Sequence, residues 1–509
     1  MKKIINILQN SIRDVLKQQL TIPFIHKEVT YTSLLYWLIL GALVIWHTYQ
    51  ALFFATTITL YVPPDELYHY KFIQLYNNFL SPFLHQQTSL FHLGSIERDA
   101  YLYHYLMNKA QVLNVTSLPD YLFLRRLNVL ISLGSVLMFI VFLRQVTKKR
   151  LVHVLALLAL TNTVMFQFIS GSINYDNFVN FLSILLLTIL AFFITSNRWL
   201  VQKILLMCVV ICLGILTKIS YLPFLAMTTV IIIVDIIIRK ERYNSVSIRK
   251  HLTNKVTISC LMLLLLLSVL VGERYGLNLL RYQSLIPSCD ELLTQEQCEQ
   301  NAVYRRNYHL STSFDDVTFN DRLDMRISYA EYLPKWSFIM QARTHGVLAH
   351  KILSKNSWQL AMYGLISIVS IIALIRKLKL GWNQDTIFVT MFLIYLFILS
   401  FQVNYLRYWF HGIPDIAVQG RYLFPLIFIF YYLIMKYLLD IGKHWVYRTV
   451  VTLVIIGVFF TGSLFWFTNI AEPGHLSTTD RGRWYDLNLQ GSLRLYDFFY
   501  DVHIEPQIK

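Results

Sequence analysis

Apolar runs of about 17 to 25 residues recur along the chain, the length an α-helix needs to cross about 30 Å of hydrocarbon. They fall near 32–59, 122–143, 151–170, 178–195, 200–216, 220–238, 256–272, 357–375, 384–403, 421–440 and 449–468. This pattern predicts an all-α polytopic membrane protein with about eleven transmembrane helices. Three stretches between and after the runs are too polar to span and long enough to fold: 61–121, 273–356 and the tail 469–509. The first is rich in Tyr, His and Phe, as short helices lying at the headgroup level are. Residues 1–31 read as a basic amphipathic segment on the membrane surface, 32–272 as helices 1–7, and 357–468 as helices 8–11.

Composition supports this reading: of 509 residues, 56% are hydrophobic and 15% charged. The formal charge of +16 does not mark a nucleic-acid binder, because the cations sit in short alternate loops such as Arg144, Lys148, Lys149 and Arg150, or Arg376, Lys377 and Lys379. Basic loops stay in the cytoplasm, so the N-terminus is expected there and the segments 61–121, 273–356 and 469–509 outside a plasma (inner) membrane. Cys289 and Cys298, in the outer loop sequence SCDELLTQEQCEQ, are then candidates for a disulfide.

The chemistry-bearing residues gather at the outer helix ends. In YVPPDELYHY, Pro63 and Pro64 stop the first helix and Asp65 and Glu66 follow at the membrane surface. Asp65 is either an N-cap for the next helix or a general base; with Glu66 and with His69 one turn on, it also makes a candidate site for Mg or Mn. In GSINYDN, Asp176 lies on the same side, with Asn174 or Asp176 as cap and Asn174 as a sugar or water partner. Arg125, Arg126, Lys218 and Arg421, the last preceded by Gln419, stand outside near the starts of inward-running helices. There the macrodipole disfavours a further positive charge unless an anion is bound. A phosphate answers both terms; snorkelling to ordinary lipid phosphates is the plainer account.

The segments PPDELYHY, YLFLRRLNVLISLG, LALTNTVMFQFISGSINYDNFVNF, LTKISYLPF and QGRYLFPLI, in this order, resemble the GT-C superfamily of membrane glycosyltransferases, and within it the bacterial DUF2142 proteins. The resemblance implies a polyprenyl-phosphate-linked sugar donor with Asp65 as catalytic base; attack opposite the phosphate would then invert the configuration, and the acceptor is left open between a cell-surface glycan, a lipid-linked glycan and a protein. Glu66 and Asp176 then become acceptor or metal contacts. One departure is Tyr175, where that family commonly has proline. Rival readings are a transporter or flippase of a lipid-linked saccharide, and a surface polysaccharide polymerase. A transporter is expected to carry internal repeats and polar groups at the bilayer midplane.

Overall fold

A computed structural model describes residues 19–21, 28–58, 63–78, 80–83, 98–115, 118–244, 254–314, 317–348, 352–353 and 357–460. Most of the N-terminal segment, parts of the first loop and the whole C-terminal tail lie outside the described residues. The described chain is helical apart from two short antiparallel pairings, Gln19–Thr21 with Glu28–Thr30 and Val347–Leu348 with Ile352–Leu353.

The helices that build the bundle and its site, in chain order and leaving aside further short ones, are α1 (Tyr31–Thr57), α2 (Glu66–Gln74), α3 (Leu102–Ala110), α4 (Asp120–Val146), α5 (Arg150–Thr161), α6 (Val164–Ser170), α7 (Tyr175–Thr195), α8 (Leu200–Thr217) and α9 (Leu222–Ile238). They continue with α10 (Lys255–Val271), α11 (Tyr329–His345), α12 (Ser357–Lys377), α13 (Gln384–Phe397), α14 (Phe424–Asp440) and α15 (Trp445–Phe460). Among the described residues nine helical stretches are long and apolar enough to span a membrane, or ten if the bent pair α5–α6 counts as one span. The count of eleven is therefore not reached: α15 is shorter, and the expected last span, 449–468, runs past residue 460.

Helices α7 and α14 form the centre, with 72% and 78% of their most apolar windows buried, against 11% for the stretch beginning with α10. Exposed Leu, Ile and Val on the outer helices, such as Ile233, Ile237, Leu263 and Leu265, are then the lipid-facing surface. The bundle packs through Phe and Tyr rings: Phe139 and Phe166 meet Phe428, and Phe142 meets Phe388 and Tyr432.

One predicted span, 151–170, is broken. Between α5 and α6 the axis turns by 66° at Thr161, Asn162 and Thr163. No proline or glycine causes the turn. Side chains supply the missing partners instead: Gln50 Nε2 donates to the freed Thr161 carbonyl at 3.1 Å and Gln167 Nε2 donates to the same oxygen. Asn162 Nδ2 donates back to Leu158, and its Oδ1 accepts from Trp46. The break brings α6 into the loop 171–174, and Gly171 lets that loop lie on α1, where a Cβ would stand 2.7 Å from the Ala51 carbonyl oxygen.

At the opposite end from this loop, buried Asp235 binds Arg242, Tyr243 and the Trp382 indole at 2.7 Å each, and Asp385 accepts from Tyr432, Tyr437 and Lys436. In the region 273–356, a disulfide joins Cys289 and Cys298. Helix α11 returns from this region to the bundle, with Trp336 Nε1 donating to Asn404 Oδ1 at 3.0 Å.

Candidate active site

Asp65 precedes α2 with φ 59 and ψ 8, a left-handed conformation uncommon for a residue with a Cβ. Its side chain makes no capping hydrogen bond. It forms an ion pair with Arg421 instead, so the capping account of Asp65 does not describe this geometry. The carboxylate is 42% exposed while the guanidinium is buried, so the pair presents its acidic half outward.

In the loop 171–174 the cap is Asn174, whose Oδ1 accepts from the Asp176 amide at 2.8 Å and whose Nδ2 donates to the Pro64 carbonyl at 3.1 Å. Asn174 thus fastens the start of α7 to the turn that carries Asp65. Relieved of capping, Asp176 directs Oδ1 to Lys218 Nζ at 2.6 Å and Oδ2 towards Arg421 Nε at 3.5 Å. One guanidinium is therefore divided between two carboxylates, and a chain of four charges runs Asp65, Arg421, Asp176, Lys218. Two acids and two cations balance. Tyr175 and Tyr422 enclose the Lys218 ammonium, which lies 4.4 and 5.0 Å from their ring centroids.

Arg421 occupies a single helical turn, Gly420–Leu423, ahead of α14. The preceding Gly420 is required by packing: a Cβ there would meet the Arg343 backbone of α11 at 2.4 Å. Arg343 in turn fixes the approach to this turn by pairing with Asp415 at 2.7 Å and donating to the Val418 carbonyl. The Gln419 carbonyl accepts from the Tyr422 amide at 3.0 Å, so the backbone of Gln419 shapes the turn that presents Arg421.

The remaining candidates lie elsewhere. Glu66 and Arg125 form a bidentate pair at 2.8 and 2.5 Å, both side chains fully buried. Glu66 also accepts from the Ile173 amide, and Arg125 donates to the Ala55 and Ile58 carbonyls at the end of α1. This pair joins α1, α2, α4 and the loop 171–174; it stands behind the four-charge chain as its support. Arg126, one residue on, is exposed on another face of α4.

His69 Nδ1 lies 2.9 Å from Nε2 of His104, a residue for which the sequence carried no signal because its partner is 35 positions away. Burial pushes His69 down to about 3 and His104 down as well, so both are neutral. Among the described residues no group of three or more His, Cys, Asp or Glu could hold a metal. Asp65, Glu66 and His69 do not fit one: Glu66 is turned to Arg125 and His69 to His104.

No family model matches the chain, and no curated protein matches it; the narrower resemblance to DUF2142 rests on its sequence segments alone. Solved structures do match. An Archaeoglobus fulgidus oligosaccharyltransferase tethered to an acceptor peptide is 12% identical with TM-score 0.50, over 92% of this chain and 59% of that one. The oligosaccharyltransferase AglB of the same organism, in complex with an inhibitory peptide and a dolichol-phosphate, is 12% identical with TM-score 0.50, over 92% and 60%. ArnT from Cupriavidus metallidurans is a more distant match, 12% identical with TM-score 0.35 over 79% and 76%. The chain spans about 60% of the length of the oligosaccharyltransferases it matches. At this identity the likeness is one of fold: the chain is a multi-pass helical membrane protein whose fold is similar to that of these oligosaccharyltransferases.

Proposed function

We propose that the chain is a membrane glycosyltransferase that moves a sugar from a polyprenyl-phosphate-linked donor to an extracytoplasmic acceptor: a cell-surface glycan, a lipid-linked glycan or a protein. The single observation that carries this reading is the convergence of Asp65, Arg421, Asp176 and Lys218 from four distant segments into one chain of charges at one end of the bundle. AglB holds a dolichol-phosphate and a peptide on a similar fold, which supports a lipid phosphate here.

The donor phosphate takes Arg421 and Lys218 from the carboxylates, since a guanidinium and an ammonium bind a phosphate as readily as a carboxylate. That exchange frees Asp65. Asp65 then accepts the proton of the acceptor hydroxyl as its oxygen bonds to the anomeric carbon on the face opposite the phosphate. The bond from that carbon to the phosphate oxygen breaks, its electron pair leaves with the lipid phosphate, and the configuration inverts. Arg421 and Lys218 stabilise the second negative charge that the leaving group acquires. No step is assigned to a divalent metal.

Purified protein supplied with a labelled polyprenyl-phosphate sugar and an acceptor extract tests this. The expected result is label on the acceptor with release of lipid phosphate, abolished by Asp65→Asn with membrane insertion intact. Full activity of that variant removes Asp65 as base. Movement of the labelled lipid across a vesicle without bond cleavage replaces the enzyme by a transporter.

A further inference from the structure

Among the described residues, one acidic group near the charge chain, Asp99, forms no ion pair. Asp99 sits in a segment clamped at both ends: the Tyr101 amide donates to the Leu216 carbonyl at 3.1 Å, two residues before Lys218. On the other side Arg98 binds Asn278 at 2.6 Å and Glu273 at 3.5 Å. The Asp99 carboxylate is half-buried and, among the described residues, accepts only the neighbouring Ala100 amide, at 2.6 Å. Arg274 and Lys218 both act on its charge, yet among the described residues neither forms an ion pair with it. The hydroxyls of Tyr68, Tyr76 and Tyr275 lie within the field of the same carboxylate, and Tyr68 also feels Asp65. Tyr101, 1% exposed, packs its ring 4.8 Å from the Arg274 guanidinium and leaves its hydroxyl without a hydrogen-bond partner.

A carboxylate held near two cations without touching either suits a group that both donates and accepts. A phosphate only accepts, and a carboxylate repels it. A sugar hydroxyl does both, donating to the carboxylate while accepting from an ammonium or a phenol. Tyrosine rings around such a point offer the apolar faces that sugar C–H groups pack against. We infer that Asp99, with Tyr101, forms a sugar-hydroxyl subsite beside Lys218, a specificity element adjoining the phosphate position. This rests on the glycosyltransferase reading above. Burial pushes the Asp99 carboxyl up, with Arg274, Lys218 and the Ala100 amide opposing, so a hydroxyl donor there replaces lost hydration of the charged form.

The test uses the full chain reconstituted in vesicles, with wild type, Asp99→Ala and the near-isosteric Asp99→Asn. Losing one charged hydrogen bond to a sugar hydroxyl weakens binding by about ten- to a hundredfold. If the hydroxyl belongs to the donor, both variants bind polyprenyl-phosphate sugar more weakly by that factor and bind sugar-free polyprenyl phosphate as wild type does. If it belongs to the acceptor, donor binding is unchanged and KM for the acceptor rises by the same factor while kcat is largely kept. Unchanged donor binding and unchanged KM in a variant with wild-type thermal stability overturn the subsite alone. Equal weakening towards sugar-bearing and sugar-free lipid also overturns it, since the loss then lies in the phosphate position. Absence of transfer and of lipid-phosphate binding in wild type overturns the glycosyltransferase reading and the subsite with it.

Discussion

Glu66 and Arg125 show what an adjacent pair of acids or bases in the sequence does not reveal. Asp65 and Glu66 are neighbours, as are Arg125 and Arg126, yet one of each pair turns inward and its neighbour turns outward. The inward two make a buried bidentate bridge, and removing one side leaves the other charged and unpaired. Glu66→Ala is therefore expected to lower stability by about 3 to 5 kcal/mol, read as a fall in the unfolding midpoint in detergent, whereas Arg126→Ala changes it by less than about 0.5 kcal/mol. The histidine pair gives a pH dependence. His69 has a folded value of about 3 against an ordinary 6.5, so the unfolded chain takes up a proton that the folded chain refuses. The stability this group confers is complete above about pH 6.5 and is lost as the pH falls from there towards 3. Replacing His69 and His104 together by Asn is expected to flatten that acid limb in a series of unfolding midpoints.

At the scale of elements, the pattern of apolar runs anticipated the long membrane-spanning helices, because hydrocarbon thickness sets their length directly, but not most of the short helices between them. The helix break at Thr161 to Thr163 was not legible, since it lacks proline and glycine and depends on Gln50 arriving from α1 and on Gln167 of α6 folding back onto the same carbonyl. The groups brought together at the site were legible in kind, from acids and cations at helix ends, but their pairing was not. Nothing local distinguishes Arg125, which stands under the site, from Arg421, which stands in it. His104 and Asp99 had no motif around them at all. The glycine of QGR had no reading of its own in the sequence, whereas its packing against α11 gives it a sharp constraint. Gly420→Ala is expected to displace the Arg421 turn and to cut sugar transfer by at least about tenfold, equivalent to about 1.4 kcal/mol, while leaving the protein in the membrane.

The whole molecule is polarised end to end. One end carries the balanced chain of Asp65, Arg421, Asp176 and Lys218; the other carries the cationic segments, with Asp235 and Asp385 gathering arginine, lysine, tyrosine and tryptophan from α9, α13 and α14. The positive-inside expectation, that the basic end faces the cytoplasm, predicts that a cysteine placed at exposed Lys379 reacts with an impermeant thiol reagent only after the cells are opened. A cysteine at exposed Arg126 is expected to react from outside. The charge chain also sets an order of assembly during synthesis. Arg421 is 356 positions beyond Asp65, so the ion pair between them forms only once the last fifth of the polypeptide is being made. A ribosome halted before Gly420 leaves an insertion intermediate in which Asp65 and Asp176 lack the guanidinium that they share in the finished protein.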